Sequence, residues 1–158
     1  MKKMQSLFVV LLVFSLVWVS FLQVGDVKAQ STVYIRNDGT VEGTDKIQQN
    51  GDTYTFTDDI TGAVVLEKGG IVIDGDGYTL TDDSNSDGFY WDNVDGVTIK
   101  NVRVKNCDNG FSISSSDNNT ITGTTVTGNN VGIQIRFSKN SQITENSVLN
   151  NNQTGIML

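Results

Sequence analysis

Seven aspartates occupy one short stretch of this chain, and their carboxylates are the groups in the sequence best suited to bind a metal ion. Calcium requires several oxygen ligands that converge on one point. The candidate calcium ligands are Asp74, Asp76, Asp82, Asp83 and Asp87. Solvated surface acids, or an ion pair between Asp74 and the aligned Lys100, explain the same residues. We therefore expect no required cofactor, with calcium as the one alternative.

A second candidate site combines an aromatic ring with polar groups. Tyr90 and Asp92 alternate on one segment, and Gln134 and Arg136 align with them on a later segment. An exposed ring beside such groups can bind the face of a sugar, although single exposed aromatic residues are also ordinary. Tyr90, Asp92, Gln134 and Arg136 are the predicted ligand-binding residues, and a polysaccharide or cell-surface glycan is the predicted partner.

No catalytic residue is identifiable from the sequence. Glycoside hydrolysis needs two carboxylates about 5–9 Å apart. Ser114 and Arg136 align with Asp92 and supply no second acid. The chain has no histidine, so it lacks the commonest general base and the imidazole of transition-metal sites. Whether the protein is an enzyme stays open, and the sequence favours a non-catalytic role.

Charge and cysteine content restrict the partners further. The formal net charge is −7, from 18 acidic and 11 basic residues, with no Lys/Arg cluster. A phosphate backbone would be repelled, so nucleic-acid binding is not expected. Cys107 is the one cysteine, which excludes a disulfide within the chain, and its position predicts a small turn residue rather than a reactive thiol.

The N-terminal range 1–29 has the pattern of a secretory signal peptide. Lys2 and Lys3 precede an apolar run, 7–22, and Val27-Lys28-Ala29 supplies the small residues of a cleavage site. The run is short for a membrane span, which needs about 20 residues. Cleavage would remove three of the 11 basic residues and one of the 18 acidic residues, which makes the net charge more negative. The predicted location is secreted or cell surface, with the periplasm as an alternative and no membrane contact after cleavage.

A sequence repeat determines where all these groups stand. Ile99, Ile121 and Ile143 form one apolar set with a period of 22, and the last step of two further sets is 23, which indicates an insertion near Gln153. A fixed period of about 20–50 residues indicates a solenoid. Each repeat contains three short alternating segments rich in Val, Ile and Thr, separated by Asn- and Gly-rich turns, so the predicted fold is an all-β parallel β-helix.

The alternation within each segment separates inner from outer positions. The predicted inward residues are Ile99, Val102, Val104, Phe111 and Ile113. The predicted outward residues are Lys100, Arg103, Lys105, Ser112 and Ser114. Asn129 aligns with Asn151, and Asn130 with Asn152, so their amides are predicted to form hydrogen-bonded ladders along the axis.

Residues 30–69 lack this repeat and are predicted to form an N-terminal β cap that covers the first coil. Residues 33–41 have the pattern of a strand, a tight turn and a second strand. Residues 70–158 hold the repeats, and the alignment of 71–74 with 97–100 has a spacing of 26 because a polar loop, 81–87, is inserted. The chain ends within a coil at Leu158, so we expect the repeats to be incomplete.

Three segments carry a resemblance to a known family. They are Ile71-Val72-Ile73-Asp74-Gly75-Asp76-Gly77-Tyr78-Thr79-Leu80, Asn118-Asn119-Thr120-Ile121-Thr122-Gly123 and Asn129-Asn130-Val131-Gly132-Ile133. Residues 70–158 resemble the right-handed parallel β-helix repeats of NosD-like secreted and surface proteins, in the pectin-lyase-like superfamily. Similar proteins include pectin-active lyases and hydrolases, mannuronan epimerases and a protein of copper-site maturation. The polysaccharide lyases that resemble this fold use acidic clusters to bind calcium and a nearby Arg or Lys as the base.

The function expected from the sequence is a secreted or cell-surface β-helix module, structural or carbohydrate-binding. The alternative is a fragment of a polysaccharide-active lyase, hydrolase or epimerase, since the resemblance implies a truncated member of the family. The open last coil also predicts end-to-end self-association. Asn118 and Asn152 begin N-glycosylation patterns.

Overall fold

The computed structural model describes residues 32–158, and this part of the chain forms strands and no helix. The predicted signal peptide, 1–29, lies outside the described residues. Among residues 32–158 there is no helix of the length and hydrophobicity that crossing a membrane requires. The strands are β1 Val33–Ile35, β2 Val41–Glu42, β3 Ile47–Asn50, β4 Thr53–Phe56, β5 Ile60–Thr61, β6 Val64–Leu66, β7 Val72–Asp74, β8 Thr79–Thr81, β9 Phe89–Asp92, β10 Thr98–Lys100, β11 Arg103–Lys105, β12 Asn109–Ser114, β13 Thr120–Thr122, β14 Thr125–Thr127, β15 Val131–Arg136, β16 Gln142–Thr144, β17 Ser147–Leu149 and β18 Thr154–Met157.

These strands stack into a right-handed parallel β-helix, as the repeat predicts. Each coil, meaning one turn of chain around the axis, adds one strand to each of three sheets. The strand orders are β16-β13-β10-β7-β4-β3, β17-β14-β11-β8-β5 and β18-β15-β12-β9-β6-β1-β2. A single coil has too few inward apolar side chains to offset the entropy of ordering its backbone, so its stability depends on its neighbours.

The pairing register confirms the spacing of the repeat. Ile99 lies opposite Ile121, and Ile121 lies opposite Ile143. Ile133 lies opposite Ile156, so the predicted insertion near Gln153 is absorbed in the corner before β18. Equivalent positions of successive coils therefore lie directly over one another along the axis.

The inside of the coils is filled by the residues that the alternation predicts. Ile99, Val102, Val104, Phe111 and Ile113 are each at most 1% exposed. The rings of Phe89 and Phe111 stack with centroids 5.2 Å apart and an interplanar angle of 7°. Full burial of such side chains contributes about 1.5–3 kcal/mol each, which makes the apolar columns the main source of stability.

The N-terminal segment combines two hairpins with one coil. β1 and β2 pair antiparallel, as predicted, and β3 pairs antiparallel with β4. β4, β5 and β6 pair in parallel with β7, β8 and β9. The range 30–69, expected to be a cap, therefore contains a parallel coil, 53–66, as well as the hairpins. Its repeat is hard to see in the sequence because the loop in 81–87 makes the spacing between β6 and β9 longer than the regular period.

Buried amides and hydroxyls hold the corners between strands. The side-chain oxygen of Asn129 accepts a hydrogen bond from the Cys107 N–H at 3.0 Å, and its Nδ2 donates to Oδ1 of Asn151 at 3.1 Å, as the predicted ladder requires. Asn130 instead donates to Asp108 at 3.0 Å. The left-handed backbone falls one position before Asn129, at Asn106, Gly128 and Asn150 of successive coils.

Candidate functional site

The outer face of the seven-stranded sheet presents the predicted ligand-binding residues. β9, β12 and β15 are neighbours, and their register places Tyr90 and Gln134 on either side of Ser112. Asp92 and Arg136 flank Ser114 in the same way. Strands lie about 4.7–4.9 Å apart, so Gln134 and Arg136 are each about 10 Å along the axis from Tyr90 and Asp92.

A shallow depression of about 380 Å³ lies beside Tyr90. Tyr90 is 39% exposed, and within 32–158 it is the one aromatic residue on the outer face of the sheet that is exposed. The depression is lined by Asn37, Val65, Leu66, Glu67, Tyr90, Asp92, Asn93 and Val94. The structure thus brings Tyr90 and Asp92 together in one concave surface, whereas Gln134 and Arg136 lie outside it on the flat part of the sheet.

Glu67 is a residue of this surface that the sequence analysis does not identify. Val65 lies opposite Tyr90, and Glu67, directly after β6, lines the depression together with Asp92. The aligned residues Ser114 and Arg136 supply no acid, as expected, but Glu67 from outside that alignment lines the same depression as Asp92. An alignment of 64–66 with 89–91 would have shown it, but that alignment departs from the regular period of the repeat.

Arg36 contacts Glu67, a lining residue of the depression, as well as a second acid and a ring. Its guanidinium lies 2.6 Å from Glu42 and 2.8 Å from Glu67. The central carbon of the same group lies 4.0 Å from the centroid of the Tyr34 ring. The hydrogen bond with Glu42 is the largest influence on the pKa of Arg36, and it raises that pKa. Burial lowers the pKa by less, and the hydrogen bond with Glu67 raises it further, so the pKa lies above its ordinary value.

Asp74 and Asp76, two predicted calcium ligands, lie at the corner after β7. Asp74 forms an ion pair of 3.0 Å with Lys100, and its Oδ1 accepts hydrogen bonds from the Asp76 N–H and the Asn101 side chain. Burial acts to raise the pKa of Asp74, but these hydrogen bonds together outweigh it, so the pKa lies below its ordinary value. The ion pair that the sequence offered as the alternative is therefore present.

Asp82, Asp83 and Asp87 lie at a different corner, between β8 and β9. Asp82 is buried and accepts hydrogen bonds from the backbone and side chain of Ser84, at 2.8 and 2.6 Å. Asp87 accepts one from the Asn109 side chain at 2.6 Å, and Asp83 is exposed. The five aspartates are thus divided between two corners. Residues 32–158 contain no group of three or more His, Cys, Asp or Glu side chains placed to hold a metal ion.

Cys107 is buried in the corner before β12, with 5% of its surface exposed. Burial raises the pKa of its thiol to about 12. A thiol acts as a nucleophile only when it is deprotonated, so this side chain is chemically inert near neutral pH.

Comparison with known proteins defines the class that the stacked coils and parallel sheets already indicate. Residues 62–158 match the family described as "Right handed beta helix region". The chain belongs to this family. No curated protein and no solved structure matches it.

Proposed function

We propose that this protein is a non-catalytic, extracellular β-helix module that binds glycans through the outer face of the seven-stranded sheet. The observation that carries the proposal is the depression beside Tyr90, where an exposed ring stands next to carboxylate and amide groups. Sugar-binding surfaces combine an apolar ring face with hydrogen-bonding side chains in this way. Gln134 and Arg136, two strands further along the axis, would contact further units of an extended chain.

Binding of polysaccharides by the purified protein tests the proposal. Affinity electrophoresis or isothermal titration against a panel of neutral, acidic and amino polysaccharides should identify at least one ligand. Tyr90→Ala should weaken that binding about tenfold, in line with the loss of one ring contact. Thr122→Ala, on the six-stranded sheet, is the matched control and should bind as the unaltered protein does. A panel without any ligand would refute glycan binding.

The pair of Glu67 and Asp92 favours a second candidate function, glycoside hydrolysis. Both side chains line the same depression, and retaining glycosidases hold their two carboxyl groups about 5–5.5 Å apart. The test is release of reducing ends from the polysaccharide that binds. If products form and both Glu67→Gln and Asp92→Asn abolish their formation, the protein is a glycoside hydrolase and not a binding module.

We also propose secretion, since residues 1–29 have the signal pattern. Mass spectrometry of the exported protein should then show an N-terminus at Gln30. Within the β-helix family, the segments 71–80, 118–123 and 129–133 support assignment to the NosD-like repeats.

End-to-end self-association is a further proposal about partners. The strands β16, β17 and β18 have paired neighbours on one side only among the described residues. Leu149, Ile156 and Leu158 are 59%, 43% and 87% exposed there. Size-exclusion chromatography with light scattering should show dimers that dissociate in Ile156→Lys, while a monomer at all concentrations would contradict the proposal.

A further inference from the structure

The outer face of the seven-stranded sheet shows how this protein places a cation over a tyrosine ring. Tyr34, on β1, has the Arg36 guanidinium 4.0 Å from its ring centroid. Glu42 and Glu67 hold that guanidinium from the side, at 2.6 and 2.8 Å. A ring face and flanking carboxylates are the two features that attract a positive group at an exposed site.

The same arrangement occurs two strands along the axis, but without its cation. Tyr34 lies opposite Val65, and Val65 lies opposite Tyr90, so the two tyrosines belong to one outward column. The residue two positions after Tyr34 is Arg36, and the residue two positions after Tyr90 is Asp92. At Tyr90 an acid therefore replaces the internal cation, and Glu67, directly after the neighbouring strand β6, lines the same depression as the second carboxylate.

The charge of Asp92 remains uncompensated from within the described part of the chain. Arg36, one of the cations on the same outward face, is already engaged by Glu42 and Glu67. Arg136 lies two strands from Asp92, about 10 Å away at ordinary strand spacing. Asp92 has no ion-pair partner among residues 32–158. A positive group that enters the depression would meet a ring, the free carboxylate of Asp92 and a second carboxylate, Glu67, that is shared with Arg36.

We propose that the depression of about 380 Å³ beside Tyr90 binds the ammonium group of an amino sugar, so that the ligand is a glycan with free amino groups. The ammonium lies over the Tyr90 ring and donates hydrogen bonds to Asp92 and Glu67. Asn37 and Asn93, which also line the depression, bond the neighbouring hydroxyl groups. This inference rests on the proposed glycan-binding function and adds the class of sugar. It also excludes uronate-rich polysaccharides, whose carboxylates would be repelled by Asp92 and Glu67.

Isothermal titration of the purified protein with four probes tests this assignment. The probes are a β-1,4-linked glucosamine tetramer, its fully N-acetylated form, a galacturonate tetramer and tetralysine, at a mildly acidic pH where amines are protonated and carboxylates ionised. The glucosamine tetramer should bind about tenfold more tightly than the acetylated form, and this difference should diminish with added salt. The galacturonate tetramer should not bind.

Two variants separate the depression from the general negative charge. Asp92→Asn should remove the preference for the free amine, and the acetylated tetramer should keep its affinity. Glu145→Gln removes one charge at an exposed corner between β16 and β17, three coils away, and should leave the preference intact. Circular dichroism of both variants should match that of the unaltered protein.

Each other outcome overturns a stated part of the argument. Equal affinity for the free and acetylated tetramers would refute the amino-sugar site and leave glycan binding in place. Tetralysine binding as tightly as the glucosamine tetramer would show a general cation site and refute the assignment to a sugar. Absence of binding by all three saccharides would refute this inference, and absence of binding across the wider polysaccharide panel would refute the proposed function as well.

Discussion

Replacement of Asn129 by alanine should destabilise the fold far more than the same replacement at its neighbour Asn130. Asn129 is fully buried, and its amide accepts from the Cys107 N–H and donates to the Val104 carbonyl oxygen at 3.3 Å and to Asn151. A buried N–H group left without an acceptor costs about 1–3 kcal/mol, and each further lost bond about 1 kcal/mol. Asn129→Ala should therefore lower the free energy of unfolding by about 3–5 kcal/mol.

Urea unfolding followed by circular dichroism measures this difference. With a slope of about 2 kcal/mol per molar urea, the midpoint of Asn129→Ala should fall by about 1.5–2.5 M. Asn130→Ala is the matched control, because Asn130 is half-buried and its side chain bonds only to Asp108 among the described residues. Its midpoint should fall by less than about 0.5 M. Equal shifts for the two variants would refute the structural role of the buried amide.

Three further predictions concern the core, the ion pair and the thiol. Ile133→Asp should abolish the cooperative unfolding transition, because Ile133 is fully buried. Gln134→Asp, on the outer face, should change the unfolding midpoint little. Equal tolerance of the two substitutions would contradict the assignment of inward and outward residues. Asp74→Asn should destabilise the protein near neutral pH. The difference in stability between the variant and the unaltered protein should vanish as the pH falls below 3.8, because a lowered folded-state pKa stabilises the fold only while the carboxylate is ionised. A constant difference in urea unfolding across that range would count against the ion pair. Cys107 should react with a thiol reagent only after unfolding, and rapid reaction of the native protein at neutral pH would disprove its burial. Because the folded-state pKa of this thiol is raised, the free energy of unfolding should fall as the pH rises from 9.0 towards about 12.

The acidic surface beside Tyr90 shows where sequence reasoning reaches its limit. Tyr90, Asp92, Gln134 and Arg136 share one face because the alternation and the constant period of these coils are visible in the chain. Glu67 joins them only through the pairing of β6 with β9, across a coil lengthened by a loop. Because one spacing of the repeat is irregular, alignment at a fixed period could not find Glu67 as a residue of the same depression.

The five aspartates predicted as calcium ligands are a second case in which the sequence pattern does not predict which side chains lie together. They are close in sequence, yet β8 lies between Asp76 and Asp82, so the two groups stand at different corners. In a solenoid, residues separated by one coil are adjacent along the axis, while residues half a coil apart lie on opposite sides. Proximity in the sequence therefore does not predict proximity in space.

By itself the sequence determines the coil, because inward apolar side chains at a regular spacing can be buried only when successive turns of chain stack in register. Its strands, the inner and outer faces, and the Asn129 ladder follow from that one condition. The tertiary structure decides which outward groups meet, since the lengths of individual corners shift one strand against the next. Those shifts produce the depression at Tyr90, in which Glu67 lies beside Asp92 and Arg36 is already engaged. Local sequence patterns do not predict these shifts.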